Sequence, residues 1–513
     1  MEWSHARKPQ VMNQLLVLPI VVPLFSAVIS LFFWRRPAVQ KAVGLVGSAV
    51  LTVIALLIFS TVREEGIQVS QIGGWPAPFG ITLVADLLSA TLVLMTGVVV
   101  LITFFVSISE IGLRRMAFGY CPLMHILAMG ICGAFLTGDI FNLYVWFEVM
   151  LIASFVLLGL GGTRPQLEAT FKYVTLNLIS SAFFLGGIGV LYGVVGTLNM
   201  ADLAQNIRGA SPPALTLTLS TLFLIAFGIK AAIFPLFFWL PDSYPAPPPP
   251  VAAVFAGLLT KVGVYSLLRF FTLIFTPEHV PSHRLILLLS GLTLLVGILG
   301  AIPQQNLRKN FSFTLVSHIG FLLAGLGLFS PLGLAGSIFY LMHDIIAKTC
   351  LFLSSGIIER ISSHTDISRM GGIYRSHPKT ALLFFLLALS VSGIPPLSGF
   401  WGKLMLIQAG FNQKEYAMAV VLLVAGLLTL YAMMKVWAEA FWKDRPQHAA
   451  GAIEAPMSAV PVPRVLLAPV AVLVGISLFM GIWPEPFHGL ANDAARQMFD
   501  AEAYIRAVLE VRI

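Results

Sequence analysis

Residues 139–160 read DIFNLYVWFEVMLIASFVLLGL, a stretch of twenty-two residues that is apolar almost throughout. At about 1.5 Å per residue, a helix of this length crosses a bilayer core of about 30 Å. One residue resists. Glu148 lies nine residues after Asp139, about 13 Å along a helix and close to mid-membrane. A charge at that depth costs roughly 2.5–3.5 kcal/mol even on the gentlest insertion scale. Lys230, Lys261, Lys348 and Lys403 fall inside apolar runs of the same kind. Five such charges in one chain imply partners, water and a polar path through the membrane, and hence movement of an ion or a proton.

Composition agrees. Of 513 residues, 58% are hydrophobic and only 11% charged, where a soluble globular chain carries about 25%. The chain reads as an all-α polytopic membrane protein, a single integral membrane domain over residues 1–513. The net charge of +8 comes from basic residues in short loops, where they set topology, and no aromatic-plus-basic stripe suggests nucleic acid. Cys121, Cys132 and Cys350 lie in apolar runs without metal-type spacing and read as small core residues. The first apolar run, Leu15–Phe33, has no small-residue cleavage site after it and is expected to stay as a helix. There is no CxxC, Gly-rich phosphate loop or Ser-His-Asp pattern, so no cofactor, metal or catalytic residue is expected.

Apolar runs of about twenty residues mark about 14 transmembrane helices. They lie near 13–33, 40–61, 82–108, 118–137, 139–160, 170–195, 214–239, 246–271, 284–303, 309–330, 333–358, 380–409, 416–441 and 464–484. After Pro484, residues 488–511 place Leu490, Ala494, Met498, Ala501, Ile505 and Leu509 on one helical face, an amphipathic helix for the membrane surface or a partner. The polar stretches 62–81, 359–379 and 442–463 read as loops. With fourteen spans, one side of the membrane collects sixteen Lys and Arg, the other ten, Arg269 among them, or seven without the C-terminal tail. The positive-inside rule then places both termini outside.

Two helices are expected to be broken, the seventh and the twelfth. Run 214–239 holds Lys230 and Pro235 and leads into PDSYPAPPPP at 241–250; run 380–409 holds Gly393, Pro395, Pro396 and Lys403. Proline frees a backbone carbonyl that only protein or water can satisfy inside lipid. Proline-interrupted spans at matching places in two halves point to a transport site. The halves are two five-helix repeats, about 118–271 and about 284–441. Kinks in packed helices are the plainer reading, weakened by a buried lysine at both breaks.

Lys230 is the expected partner of Glu148, each keeping the other charged; a static structural pair is the alternative. Lys261, Lys348, His318 and His343 lie in successive spans and can pass a proton through intervening water, though a lone histidine reads equally as a hydrogen-bonded core residue. Lys435 and Glu439, four apart, read as a pair near a loop. Asp86 and Asp344 read as packing or hydrogen-bonding residues without a role in the relay.

Four segments carry a family resemblance: residues 137–162, TGDIFNLYVWFEVMLIASFVLLGLGG; residues 167–204, LEATFKYVTLNLISSAFFLGGIGVLYGVVGTLNMADLA; residues 229–269, IKAAIFPLFFWLPDSYPAPPPPVAAVFAGLLTKVGVYSLLR; and residues 392–403, SGIPPLSGFWGK. They resemble the antiporter-like subunits shared by respiratory complex I, membrane-bound hydrogenases and Mrp-type cation/proton antiporters, and most of all the D-subunit group of the Mrp-type Na+/H+ antiporters. The resemblance runs from about residue 13 to 484. It implies a fourteen-helix fold with two inverted five-helix repeats, broken helices 7 and 12, and no cofactor. It implies that Glu148 is the fifth-helix glutamate, Lys230 its seventh-helix lysine, Lys261 the central eighth-helix lysine and Lys403 the twelfth-helix exit residue. His318 and His343 match polar positions of the relay between the halves. In some relatives the twelfth-helix residue is glutamate, and lysine here fits the D type.

The expected function is therefore proton translocation within a multi-subunit Na+/H+ antiporter. The chain would be a secondary-transporter subunit of a bacterial plasma membrane, not an enzyme, beside a larger paralogue and several small membrane subunits. Proton pumping in a redox-driven complex, complex I-like or hydrogenase-like, is the alternative, and a non-transporting scaffold is a third. No cluster of carboxylates and hydroxyls reads as a sodium cage.

Overall fold

The computed structural model describes residues 14–210, 213–278, 280–444 and 461–510, the side chains of 208–210 excepted. Arg7, Lys8, Arg445, Arg512 and the side chain of Arg208, all part of the charge comparison, lie outside the described residues. So do the start of the first run, most of the 442–463 loop and the end of the tail segment.

Every apolar run is occupied by helix. In chain order these are α1 (Leu18–Phe32), α2 (Pro37–Glu65), α3 (Leu87–Glu110), α4 (Tyr120–Leu136), α5 (Ile140–Leu158), α6 (Arg164–Val195), α7 (Pro213–Ala231) and α8 (Pro249–Leu273). There follow α9 (Ser282–Ala301), α10 (Leu307–Leu328), α11 (Pro331–Ser362), α12 (Pro378–Ser392), α13 (Ser398–Asn412), α14 (Tyr416–Trp442) and α15 (Arg464–Ile482). Among the described residues, eleven of these are long and apolar enough to cross a membrane, and α1, α4 and α12 are shorter apolar helices.

Local chemistry sets the helix starts. Asp86 accepts a hydrogen bond from the Ser89 amide at 2.8 Å and Ser89 accepts one from the Asp86 amide at 2.9 Å. Asp139, Asn306 and Ser330 cap α5, α10 and α11 in the same way, at 2.7, 3.0 and 3.1 Å. A short polar side chain at this position satisfies amides that have no partner within the helix.

Burial separates centre from rim. The most apolar eighteen residues of α11 are all buried and those of α8 are 94% buried, against 39% for α2, α9, α14 and α15. The central helices carry the polar side chains, which only protein neighbours can satisfy in lipid. Small residues bring helices close: a Cβ on Gly263 of α8 would sit 2.5 Å from the Ala231 amide nitrogen at the end of α7.

The loop at 62–81 contains structure that the polar composition did not suggest. Strands β1 (Gln68–Gln71) and β2 (Thr82–Ala85) pair antiparallel, with Val69 opposite Val84. Leu83 bridges to Thr137 and Asp139 to Asn199, tying together the ends of α3, α5 and α6. The tail segment forms two helices, α16 (Glu485–Phe499) and α17 (Ala501–Leu509), because Asp500 stops the first and caps the second at the Ala503 amide, 3.0 Å away. Ala494, Met498 and Ile505 are buried against the chain's own bundle.

Arg269 is not the loop charge expected. It is 5% exposed within α8, ion-paired with Asp86 and 5.1 Å from the Tyr504 ring of α17. Its neighbours along the same helix, Phe270 to Leu273, are themselves buried, so the helix continues past the point where the charge suggested a loop.

Candidate functional site

The ionisable side chains singled out in the apolar runs gather in three groups. The first lies between α5, α6 and α7. α7 ends at Ala231, and the chain turns at Ala232 before a short helix at Trp239–Ser243. Lys230, in the last turn of α7, is 8% exposed. Its ammonium lies 3.5 Å from the Asn177 carbonyl of α6 and 5.4 Å over the Phe147 ring. Glu148 on α5 is half-buried and accepts a hydrogen bond from Ser181, one turn along α6 from Asn177. The expected Glu148–Lys230 ion pair is absent: no such contact occurs within 4 Å. Instead α6 presents Asn177 to the cation and Ser181 to the anion, each nearer than the opposite charge. A cavity of about 20 Å³ opens beside Lys230, walled by Asn177, Tyr173 and Leu259 among others, with room for about one water.

The second group is sealed in the centre of the bundle. Lys261 on α8, His318 on α10, and Asp344 and Lys348 on α11 are all 0% exposed. The Asp344 carboxylate lies 2.8 Å from Lys261 Nζ, 3.2 Å from His318 Nδ1 and 4.0 Å from Lys348 Nζ. Lys261 also donates to the Ala256 carbonyl at 2.6 Å. Ala256 belongs to a π-helical segment, Phe255–Leu259, where the i→i+5 pattern displaces carbonyls from the usual ladder. Tyr340 contacts His318 Nδ1 at 2.8 Å. Lys348 Nζ, His318 Nε2 and His343 Nε2 are buried without a hydrogen-bond partner.

The third group is built on the break between α12 and α13. Gly393 adopts a left-handed backbone, φ 86°, just after the last turn of α12. Lys403 of α13 reaches back to the Val391 and Ser392 carbonyls, at 3.0 and 2.9 Å. These carbonyls end a helix and carry its negative dipole, so an ammonium is a suitable cap. The same ammonium lies 4.8 Å over Phe321 and 6.0 Å over Tyr340. His343 bonds through Nδ1 to Ser398 at 2.7 Å.

The fold thus brings Lys261, His318 and Lys348 together through Asp344. It places Lys403 and His343 beside them across Tyr340, whose ring lies 5.3 Å from that of His343. Glu148 and Lys230 form a separate group, and Leu259, two residues before Lys261 in the chain, lines the cavity beside Lys230. Asp344 is the residue that sequence reasoning missed. Its signal was present as the i,i+4 spacing to Lys348 on an otherwise apolar helix, but nothing in the chain order pointed to Lys261, eighty-three residues earlier. Ser181, Asn177 and Tyr340 were missed for the same reason.

Lys435 and Glu439 do not pair. Glu439 takes Lys443, four residues further on, while Lys435 donates to the Ile302 carbonyl just past α9 at 2.8 Å. Glutamate before lysine at this spacing is the better orientation on a helix. Among the described residues no group of three or more His, Cys, Asp or Glu side chains gathers as a metal site.

Residues 137–429 match the family model described as NADH:quinone oxidoreductase/Mrp antiporter, transmembrane. The chain is 40% identical over 97% of its length to the whole of a Na+/H+ antiporter D subunit of Alkalihalophilus pseudofirmus. It is 38% identical, over the same share, to the whole of the corresponding D subunit of Bacillus subtilis. A chain in the solved structure of the Mrp complex from Dietzia superposes with a TM-score of 0.89 and 29% identity, over 97% of this chain and 99% of that one.

Proposed function

The chain belongs to the family of NADH:quinone oxidoreductase and Mrp antiporter transmembrane subunits, and from that premise we propose that it is the proton-translocating subunit of a multi-subunit Na+/H+ antiporter. The observation that carries the proposal is the central group: one carboxylate shared by Lys261, His318 and Lys348, all fully buried. A single negative charge balances one ammonium. At an effective dielectric near 20, two unit charges about 4 Å apart interact by about 4 kcal/mol. A second positive charge at Lys348, 4.0 Å from Asp344, must share that carboxylate with Lys261 at 2.8 Å, so it is only partly balanced in the dry interior, and passing a proton onward relieves the excess.

The order of steps follows the geometry. Glu148 and Lys230 exchange a proton through the Ser181 hydroxyl and a water in the 20 Å³ cavity, while the Asn177 carbonyl holds the ammonium in place. The central group receives the proton at Lys261, and His318, Lys348 and His343 carry it on. Lys403, poised on the free carbonyls of the break, delivers it to the far side. Protons pass through this chain, and Na+ is exchanged at the level of the complex, which includes a larger paralogue and several small membrane subunits. The chain is a transporter component and not an enzyme.

The finer architecture belongs to the same proposal. The chain crosses a bacterial plasma membrane fourteen times, with both termini outside. Helices α4–α8, about 118–271, and α9–α14, about 284–441, with α12 and α13 the two halves of one broken helix, are inverted five-helix repeats. Support comes from the position of the breaks: each interrupts the fourth run of its five, and each has a lysine beside it, Lys230 in the last turn before the first and Lys403 on the carbonyls of the second.

The test is Na+-driven proton flux in vesicles that contain the whole complex, with Li+ and K+ compared. Glu148→Ala and Lys230→Ala are each expected to abolish flux while the complex assembles. Normal flux in either would reject the role, and loss of assembly in both would favour a scaffold.

A further inference from the structure

We propose that the groove between α12 and α15 is a binding site for one anionic phospholipid, with the headgroup on Lys379 and Arg464 and an acyl chain lying between the helices. The groove has a volume of about 400 Å³ and is walled by Leu382 and Leu383 on one side and Ala468 and Ala471 on the other. That volume is at the lower end of the ~300–1,000 Å³ of ligand sites. Lys379 and Arg464, the first basic residues of the two helices, stand at its mouth and are exposed. Among the described residues neither has an ion-pair or hydrogen-bond partner. Two cations without anions, flanking an apolar slot, call for a ligand that is anionic at one end and hydrocarbon at the other.

The depth of the groove selects the occupant. The two helices are fastened further in, where Ser477 of α15 bonds Ser390 of α12 at 2.8 Å, and α13 is tied to α15 at the same end by Ser398–Ser477 and by Trp401 donating to the Gly481 carbonyl, both at 2.8 Å. From Lys379 to Ser390 is eleven residues, about 16 Å of helix. That is the depth of one leaflet, half of the ~30 Å hydrocarbon core. A transmembrane helix from a partner needs a seat through both leaflets; an acyl chain needs one. The small, exposed Ala468 and Ala471 leave the floor open for the chain. The fastening serines also hold Ser398, the hydrogen-bond partner of His343, so a lipid here wedges the outer halves of two helices that meet at the relay.

The test uses the purified whole complex, delipidated in detergent and supplied with phosphatidylglycerol or with phosphatidylcholine of the same chains, with retained lipid read by native mass spectrometry. Wild type is expected to retain phosphatidylglycerol in preference. The double variant Lys379→Ala/Arg464→Ala is expected to hold it about 30-fold more weakly, the effect of removing two interfacial cations. Ala468→Trp keeps both charges but fills the slot, and is expected to lose the lipid as well. Equal retention of the two lipids, or unchanged retention in the charge variant, would overturn the proposal. Retention that survives Ala468→Trp would mean surface adsorption without a seated chain and would also overturn it. Loss of another subunit in Ala468→Trp would overturn it too, by showing the groove to be a partner's seat.

Discussion

Replacing Asp344 by asparagine keeps the shape of the side chain and removes what is, among the described residues, the only carboxylate within 4 Å of Lys261, His318 and Lys348. Lys261 is then left with the Ala256 carbonyl at 2.6 Å and no counter-charge. Removing one partner of a buried pair costs about 3–5 kcal/mol, because the other charge stays uncompensated. If that cost falls on the step that loads the central group, the rate drops by roughly two to three and a half orders of magnitude, at about 1.4 kcal/mol per tenfold. If Lys261 instead becomes neutral, the group loses its proton carrier and flux falls just as far. The assay is Na+-dependent proton movement in vesicles containing the assembled complex, followed with a pH-sensitive dye. We expect less than about 1% of wild-type flux at normal complex abundance, and partial recovery in Asp344→Glu, which restores the charge one methylene away. An Asp344→Asn complex that retains more than about a tenth of wild-type flux would refute the claim that this carboxylate holds the group together.

Other expectations test the rest of the site. Lys403→Ala should lower flux well below that of Lys435→Ala, since Lys403 caps the break carbonyls at 2.9 and 3.0 Å while Lys435 caps the chain after α9; equal losses would remove Lys403 from the path. Ser181→Ala takes away the hydroxyl that donates to Glu148 and should slow flux roughly tenfold, the worth of one hydrogen bond to a charged group at about 1.5 kcal/mol; an unchanged rate would show that α6 does not mediate the first transfer. Gly263→Ala puts a methyl 2.5 Å from the Ala231 amide nitrogen and should destabilise the complex by about 1–3 kcal/mol through overpacking, seen as a lower melting temperature; an unshifted transition would mean that α7 and α8 are less tightly packed than described.

Much of this protein was legible in the linear chain. Apolar runs announced the helices because lipid leaves the backbone no alternative to internal hydrogen bonding. Prolines announced both breaks, since their rings forbid a continuous ladder. Lysines in apolar surroundings announced the site, because their cost at that depth demands partners. None of these inferences needs to know which helices are neighbours.

Partnership does need it. Mid-span position pairs Lys230 with Glu148, yet a carbonyl and a hydroxyl one turn apart on α6 are the groups each touches. In the linear chain Asp344 reads as a packing residue, yet it lies against a lysine from α8 and a histidine from α10. Chain order puts Arg269 with the loops, yet it pairs with Asp86 beneath the C-terminal helix. Burial of a charge follows from composition over some twenty residues, which any one segment contains. The group that neutralises it is chosen by packing over a few ångströms between segments far apart in the chain, and electrostatic energy in a dry interior falls off with that spatial distance, not with separation along the chain.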